Sequence, residues 1–124
     1  MAPNMRILCV EDDPDGQELV STILAHMNIP VDVAGTAEQA EELLFDEGII
    51  YNAVVIDLAL PGKDGWGLLA EIRANPRTAK LPCIAVTAYH TSSLREEALM
   101  AGFTAYQPKP LDSMAFVRQV ENVL

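Results

Sequence analysis

Five short apolar runs alternate with longer segments whose apolar residues recur three and four apart, and this alternation restricts the chain to one class of fold. The runs are residues 6–10 (RILCV), 31–34 (VDVA), 53–56 (AVVI), 83–87 (CIAVT) and 104–106 (TAY). Each has the length and composition of a strand. The intervening stripes are Leu19, Val20, Ile23, Leu24 and Met27, then Ala37, Ala40, Leu43 and Leu44, then Leu68, Leu69 and Ile72. Residues 93–101 and a segment beginning near Asp112 supply two more helices, the former with the least distinct apolar stripe. Strands that are apolar throughout need cover on both faces, and right-handed crossovers between parallel strands provide it. The expected fold is therefore α/β, a doubly wound five-stranded parallel sheet with five helices.

Local signals agree with this division. Asp13 followed by Pro14 fits an N-cap and a first helical residue, Thr36 with Gln39 and Ser93 with Glu96 have capping-box spacing, and Asp64 and Asp112 can cap two further helices. Gly102 is a helix stop, and Pro30 and Pro82 stand beside strand starts.

Half of the 124 residues are apolar, enough for the core of one domain, and residues 1–124 are expected to form one unit with no output domain. No stretch has the length of a membrane span. The leading MAPNMRILCVEDD runs into acids where a signal peptide needs a basic and then apolar lead, so a cytosolic protein is expected. Met1 slightly favours a natural start, with a standalone regulator and a domain cut from a larger protein both left open. A net charge of −10 opposes contact with nucleic acid or anionic lipid. Cys9 and Cys83 lie inside apolar runs and read as small buried hydrophobes.

In a parallel doubly wound sheet, ligands bind beyond the carboxyl ends of the strands. Those ends carry Glu11, Asp12 and Asp13 after the first run, Asp57 after the third, Thr87 on the fourth, and Lys109 after the fifth. Carboxylates gathered at one rim repel one another unless a cation compensates. Magnesium accepts one or two carboxylates, a carbonyl and waters, which makes Asp12 and Asp57 the expected ligands, with Glu11 nearby or acting through water. A carboxylate beside such an ion can accept a phosphoryl group as an acyl phosphate. Lys109 and Thr87 then supply a positive charge and a hydroxyl to the transferred oxygens.

With these residues the chain resembles the receiver domain of bacterial response regulators. The resemblance rests on ILCVEDD (7–13), VVIDLALPGKDGWGLL (54–69), LPCIAVTAY (81–89) and GFTAYQPKPLD (102–112), in order and at family-like spacing. It implies strand order 2-1-3-4-5, Asp57 as phosphoacceptor, Glu11 and Asp12 as the acidic pair, and the Ala59 carbonyl as a further magnesium ligand. It also implies Thr87 as the switch hydroxyl, Lys109 as the lysine that pairs with the phosphoryl group, Tyr106 as an aromatic switch turning inward, and a cis bond from Lys109 to Pro110. The chain departs from the family with Glu11 where many relatives have Asp, and with Pro108 before the lysine. Ala59 and Tyr89 occupy positions that vary among receivers and tune how long the acyl phosphate survives.

The partners implied are a sensor histidine kinase or a histidine phosphotransfer protein and a downstream protein target, with the receiver a monomer or a phosphorylation-dependent dimer. Such a protein switches rather than turns over substrate, although it partly catalyses its own phosphorylation and dephosphorylation. An aspartyl-phosphate phosphatase would want an acid at Ala59, and no phosphate loop for nucleotide is present. The alternative is a flavodoxin-like structural or interaction module, which needs no convergence of acids, hydroxyl and lysine. Trp66 reads as sheet cover or a partner contact, the acids of EQAEELLFDEG as a solvated helix face, and His26 and His90 as solvated surface.

Overall fold

A computed structural model describes residues 5–124. Met1 and the start of the leading stretch lie outside the described residues. The elements run β1 (Ile7–Val10), α1 (Pro14–His26), β2 (Val31–Ala34), α2 (Ala37–Glu41), β3 (Ala53–Asp57), α3 (Gly65–Ala74), β4 (Cys83–Thr87), α4 (Ser92–Ala101), β5 (Ala105–Pro108) and α5 (Ser113–Val123). All strand pairs are parallel, in the order β2-β1-β3-β4-β5. The doubly wound sheet expected from the alternation is the one observed.

Alternate residues of each strand enter two different cores, as a pleated sheet covered on both faces requires. Leu8, Val10, Val54, Ile56, Ala85 and Tyr106 pack with Ala40 and Leu44, with Leu68, Leu69 and Ile72 of α3, and with Ala98 of α4. Ile7, Cys9, Val55, Ile84, Val86 and Ala105 pack on the other face with Val20, Ile23 and Leu24 of α1 and Phe116 and Val120 of α5. The weak stripe of α4 has a direct counterpart, since Ala98 is its buried residue while Met100 is exposed. Both cysteines are free and buried, and burial pushes the Cys9 thiol up to about 12 and the Cys83 thiol up to about 11.

The caps at Asp13, Thr36, Asp64 and Asp112 form as expected, each side chain accepting a backbone N–H of the first turn. Gly102 ends α4 with φ of 119°. Ser93 is not a cap: α4 starts a residue earlier, and the Thr91 hydroxyl accepts the Leu94 N–H. Three strand limits also differ from expectation. Arg6 stands outside β1, because its amide bonds the Asn52 side chain and its guanidinium grips Asp32. β3 includes Asp57. β5 starts at Ala105 and runs on to Pro108. Pro108 has no N–H for the ladder, and the Thr87 carbonyl of the residue it pairs with accepts the Lys109 N–H at 2.7 Å instead. The stripe through Leu43 and Leu44 continues α2 as one π-helical turn over Glu42–Asp46, closed by the Glu47 N–H on the Glu42 carbonyl. Nothing in the sequence pattern announced that turn.

No helix among the described residues is long and apolar enough to cross a membrane.

Candidate functional site

β1 has β2 on one side and β3 on the other, so the chain reverses its winding direction there and opens a crevice beyond the carboxyl ends of β1 and β3. Glu11 and Asp12 follow β1 directly, and Asp57 is the last residue of β3. One carboxylate oxygen from each lies within 4.8 Å of the others. Asp12 is exposed, whereas Glu11 and Asp57 are only 4% and 5% exposed. Among the described residues, the buried polar or charged side chains are these two with Thr87 and Gln107. Burial on this scale is costly for carboxylates without partners.

Lys109 is the partner. Its ammonium lies 2.5 Å from Glu11 Oε1 and 2.9 Å from Asp57 Oδ2, so a lysine that follows β5 bridges two acids at the ends of β1 and β3. The Ala59 N–H donates to Asp57 Oδ1 at 2.9 Å. Burial alone would raise the Asp57 pKa, but bonds from Lys109, Glu11 and the Ala59 amide outweigh it and hold the carboxyl below its ordinary value. Glu11 moves the other way, since burial and the neighbouring Asp57 exceed the help of Lys109 and push its pKa up. The Lys109 pKa is raised, the two acids outweighing its own burial. Two adjacent carboxyls thus differ in proton affinity, with Asp57 the more firmly ionised. The donor set suits a hard divalent cation, being oxygen only, with one carboxylate exposed to solvent.

Glycines that sequence reasoning passed over shape this rim. A Cβ on Gly16 would come within 2.6 Å of Glu11 Oε1, so α1 can lie against the Glu11 carboxylate only with hydrogen at that position. A Cβ on Gly65 would meet the Asp57 carbonyl at 2.5 Å and Leu58 Cα at 2.9 Å, which fixes how closely α3 starts behind β3. Gln17 also went unnoticed, and its side-chain amide donates to the Glu11 carbonyl at 2.7 Å. Glycine inside a helical pattern was the available signal for Gly16. Beside the acids a cleft of about 460 Å³ opens between α1 and the segment after β5, lined in part by Asp13, Gly16, Leu19, Lys109 and Pro110.

Thr87 is buried at the end of β4, one residue beyond the position paired with Asp57, and its hydroxyl accepts the Tyr89 N–H at 3.0 Å. Ala59 touches the site through its N–H. The Lys109 to Pro110 peptide bond is cis, as the resemblance implies. Tyr106, expected to turn inward as a switch, is already 3% exposed, and its phenol oxygen lies 2.8 Å from His90 Nδ1. His90, read as plain solvated surface, is exposed but has this partner. Tyr89 is exposed. Trp66 is half-buried and packs edge-on against Phe103 at 5.8 Å.

Comparison with known proteins agrees with this arrangement. The pattern of the response regulator receiver domain matches residues 7–121. An uncharacterized 14.6 kDa protein encoded in the sodA1 3′ region of Leptolyngbya boryana is 38% identical over 94% of this chain and 88% of its own length. The transcriptional regulatory protein AruR of Pseudomonas aeruginosa is 34% identical over the whole chain, which spans 51% of that regulator. The receiver domain of a sensor histidine kinase of the same species, solved with magnesium coordinated in its active-site cleft, superposes with a TM-score of 0.85 at 31% identity, covering 95% of each chain. The chemotaxis protein CheY4 of Vibrio cholerae shares the fold, with a TM-score of 0.88 at 18% identity over 97% of this chain and 98% of its own. With a matching sequence pattern over nearly its whole length, this sheet order and an acidic cluster at the reversal of the sheet, the chain belongs to the response regulator receiver family of two-component signalling.

Proposed function

We propose that Asp57 accepts a phosphoryl group from a phosphohistidine of a sensor histidine kinase or a histidine phosphotransfer protein, and that the modification switches protein contacts. The observation that carries this reading is the buried Asp57 carboxyl, held ionised by Lys109 at 2.9 Å within an oxygen-only acidic cluster. An unprotonated oxygen is what nucleophilic attack needs. As the bond from an Asp57 oxygen to phosphorus forms, the bond from phosphorus to the donor imidazole breaks. The electron pair returns to the ring nitrogen, which takes a proton from solvent.

Asp12, Asp57, the Ala59 carbonyl and Glu11, directly or through water, are the residues that would hold magnesium. When bound, the ion neutralises charge on the phosphoryl oxygens. Lys109 supplies a second positive charge at Asp57. The Thr87 hydroxyl accepts one bond from Tyr89 and keeps its own proton to donate to a phosphoryl oxygen. Turning of Thr87 then biases Tyr106 and the surface formed by α4, β5 and α5.

Residues 1–124 then act as one receiver unit in the cytoplasm, a switch with partly self-catalysed gain and loss of the phosphoryl group. The chain spans about half the length of transcriptional regulators such as AruR, and most of the L. boryana protein. Incubation with acetyl phosphate and magnesium, followed by intact mass measurement, tests it. A gain of one phosphoryl mass, lost in Asp57→Asn and without magnesium, is expected. No gain in the native protein would favour a structural module of the same fold.

A further inference from the structure

The bond between His90 and Tyr106 has no place in the phosphoacceptor chemistry. Tyr106 is buried on β5, and a buried phenol needs a hydrogen-bond partner. The partner is His90 Nδ1 at 2.8 Å, with the two rings 5.4 Å apart. Either tautomer serves, because the phenol can donate to a bare Nδ1 or accept from a protonated one.

His90 lies in the short connection between β4 and α4, next to Tyr89, whose amide bonds the Thr87 hydroxyl at 3.0 Å. Thr87 and Tyr106 also share a face of the sheet. Tyr106 pairs with Ala85, and Thr87 is two residues further along the same strand. The hydroxyls of both switch residues are therefore tied to adjacent positions of one connection.

We infer that His90 is the positioning residue that couples Thr87 to Tyr106, holding the phenol inward and relaying to it any turn of the Thr87 hydroxyl. This inference rests on the switch roles proposed above for those two residues. If Thr87 turns to a phosphoryl oxygen it releases the Tyr89 amide, the connection shifts, and the His90 ring moves with it. Without His90 the phenol has to seek water, and the outward position gains weight.

The test is NMR of the full chain carrying ring-labelled tyrosine, with the Tyr106 signal assigned through Tyr106→Phe. His90→Ala is expected to move that signal toward the exposed value, with a fall of about fivefold in the inward-to-outward ratio, the equivalent of one net hydrogen bond. His90→Asn, whose side-chain oxygen can stand in for Nδ1, is expected to restore it. Thr87→Ala should move the Tyr106 signal in the native background and not beside His90→Ala. An unchanged Tyr106 signal in His90→Ala would overturn the inference, as would an equal effect of Thr87→Ala in both backgrounds. His90 is exposed, so the His90 variants keep the fold. Phosphoryl uptake at Asp57, followed by mass, is expected to persist in His90→Ala; failure of the phosphoacceptor reading would instead appear as absent uptake in the native protein.

Discussion

Lys109 Nζ lies 2.9 Å from Oδ2 of Asp57, a residue 52 positions earlier in the chain. The same ammonium also holds Glu11, so it is the one cation between two buried acids among the contacts described. Lys109→Met should leave Asp57 and Glu11 facing each other without compensation. The loss of a buried partner costs about 3–5 kcal/mol, but partial exposure of the lysine and protonation of Glu11 reduce the expected loss to about 1–2 kcal/mol. Urea unfolding at neutral pH measures it. Added magnesium should return part of the loss, and an unchanged midpoint would show that Lys109 does not hold the acids together.

Asp12 is exposed and has no described ion pair, so its value lies in binding rather than stability. Asp12→Asn should weaken magnesium affinity by at least about tenfold while unfolding stability changes by less than about 0.5 kcal/mol. Calorimetric titration with magnesium and a parallel urea melt separate the two. Undiminished affinity would remove Asp12 from the ligand set.

Gly16 and Gly65 both require an absent methyl group, the first against a side chain and the second against backbone. In an unconstrained helix, Gly→Ala stabilises by about 1 kcal/mol. Gly16→Ala instead forces the Glu11 carboxylate away from Lys109 and should lower magnesium affinity with modest loss of stability. Gly65→Ala drives a methyl into the backbone of Asp57 and Leu58, which cannot step aside, and should cost about 3 kcal/mol. Thermal melts of the two variants should therefore rank Gly65→Ala as the less stable.

At the opposite end of the sheet, Asp32 accepts a hydrogen bond from Arg6 Nη2 at 2.9 Å, pairs with Arg6 Nε at 2.9 Å and accepts another hydrogen bond from the Tyr51 hydroxyl at 2.7 Å. Burial pushes the Asp32 pKa up, but Arg6 and Tyr51 outweigh it and the net shift is downward. A carboxyl depressed in the folded state stabilises fully above its unfolded value of about 3.9, and that share is lost as pH falls through the folded value. Asp32→Asn should therefore lose less stability than the native protein between about pH 5 and about pH 2. Tyr51→Phe should cost about 1 kcal/mol at neutral pH. Parallel acid limbs for Asp32→Asn and the native chain would contradict the assignment.

Much of the fold was legible because strand burial and helix periodicity are local signals. Leu8 and Val10 enter one core and Ile7 and Cys9 the other, as an all-apolar strand between two helical layers must. The site was legible through chemistry at strand ends, where Glu11, Asp57 and Lys109 do converge. What escaped depends on three-dimensional approach. Ser93 had the right spacing for a cap, yet Thr91 starts the helix, a choice made by how the chain leaves β4. Gly16 near Glu11 and His90 near Tyr106 are contacts between elements, and no residue pattern within either element encodes them. The π-helical turn after α2 likewise left no mark on an apolar stripe that fits an ordinary helix.

Treatment with acetyl phosphate and magnesium, followed by borohydride reduction and peptide mass mapping, locates the phosphoryl group most directly, because reduction converts an aspartyl phosphate to homoserine. Homoserine is expected at position 57, with Glu11, Asp12 and Asp13 intact. Reduction at one of those other acids, or none in protein that binds magnesium, would contradict that expectation.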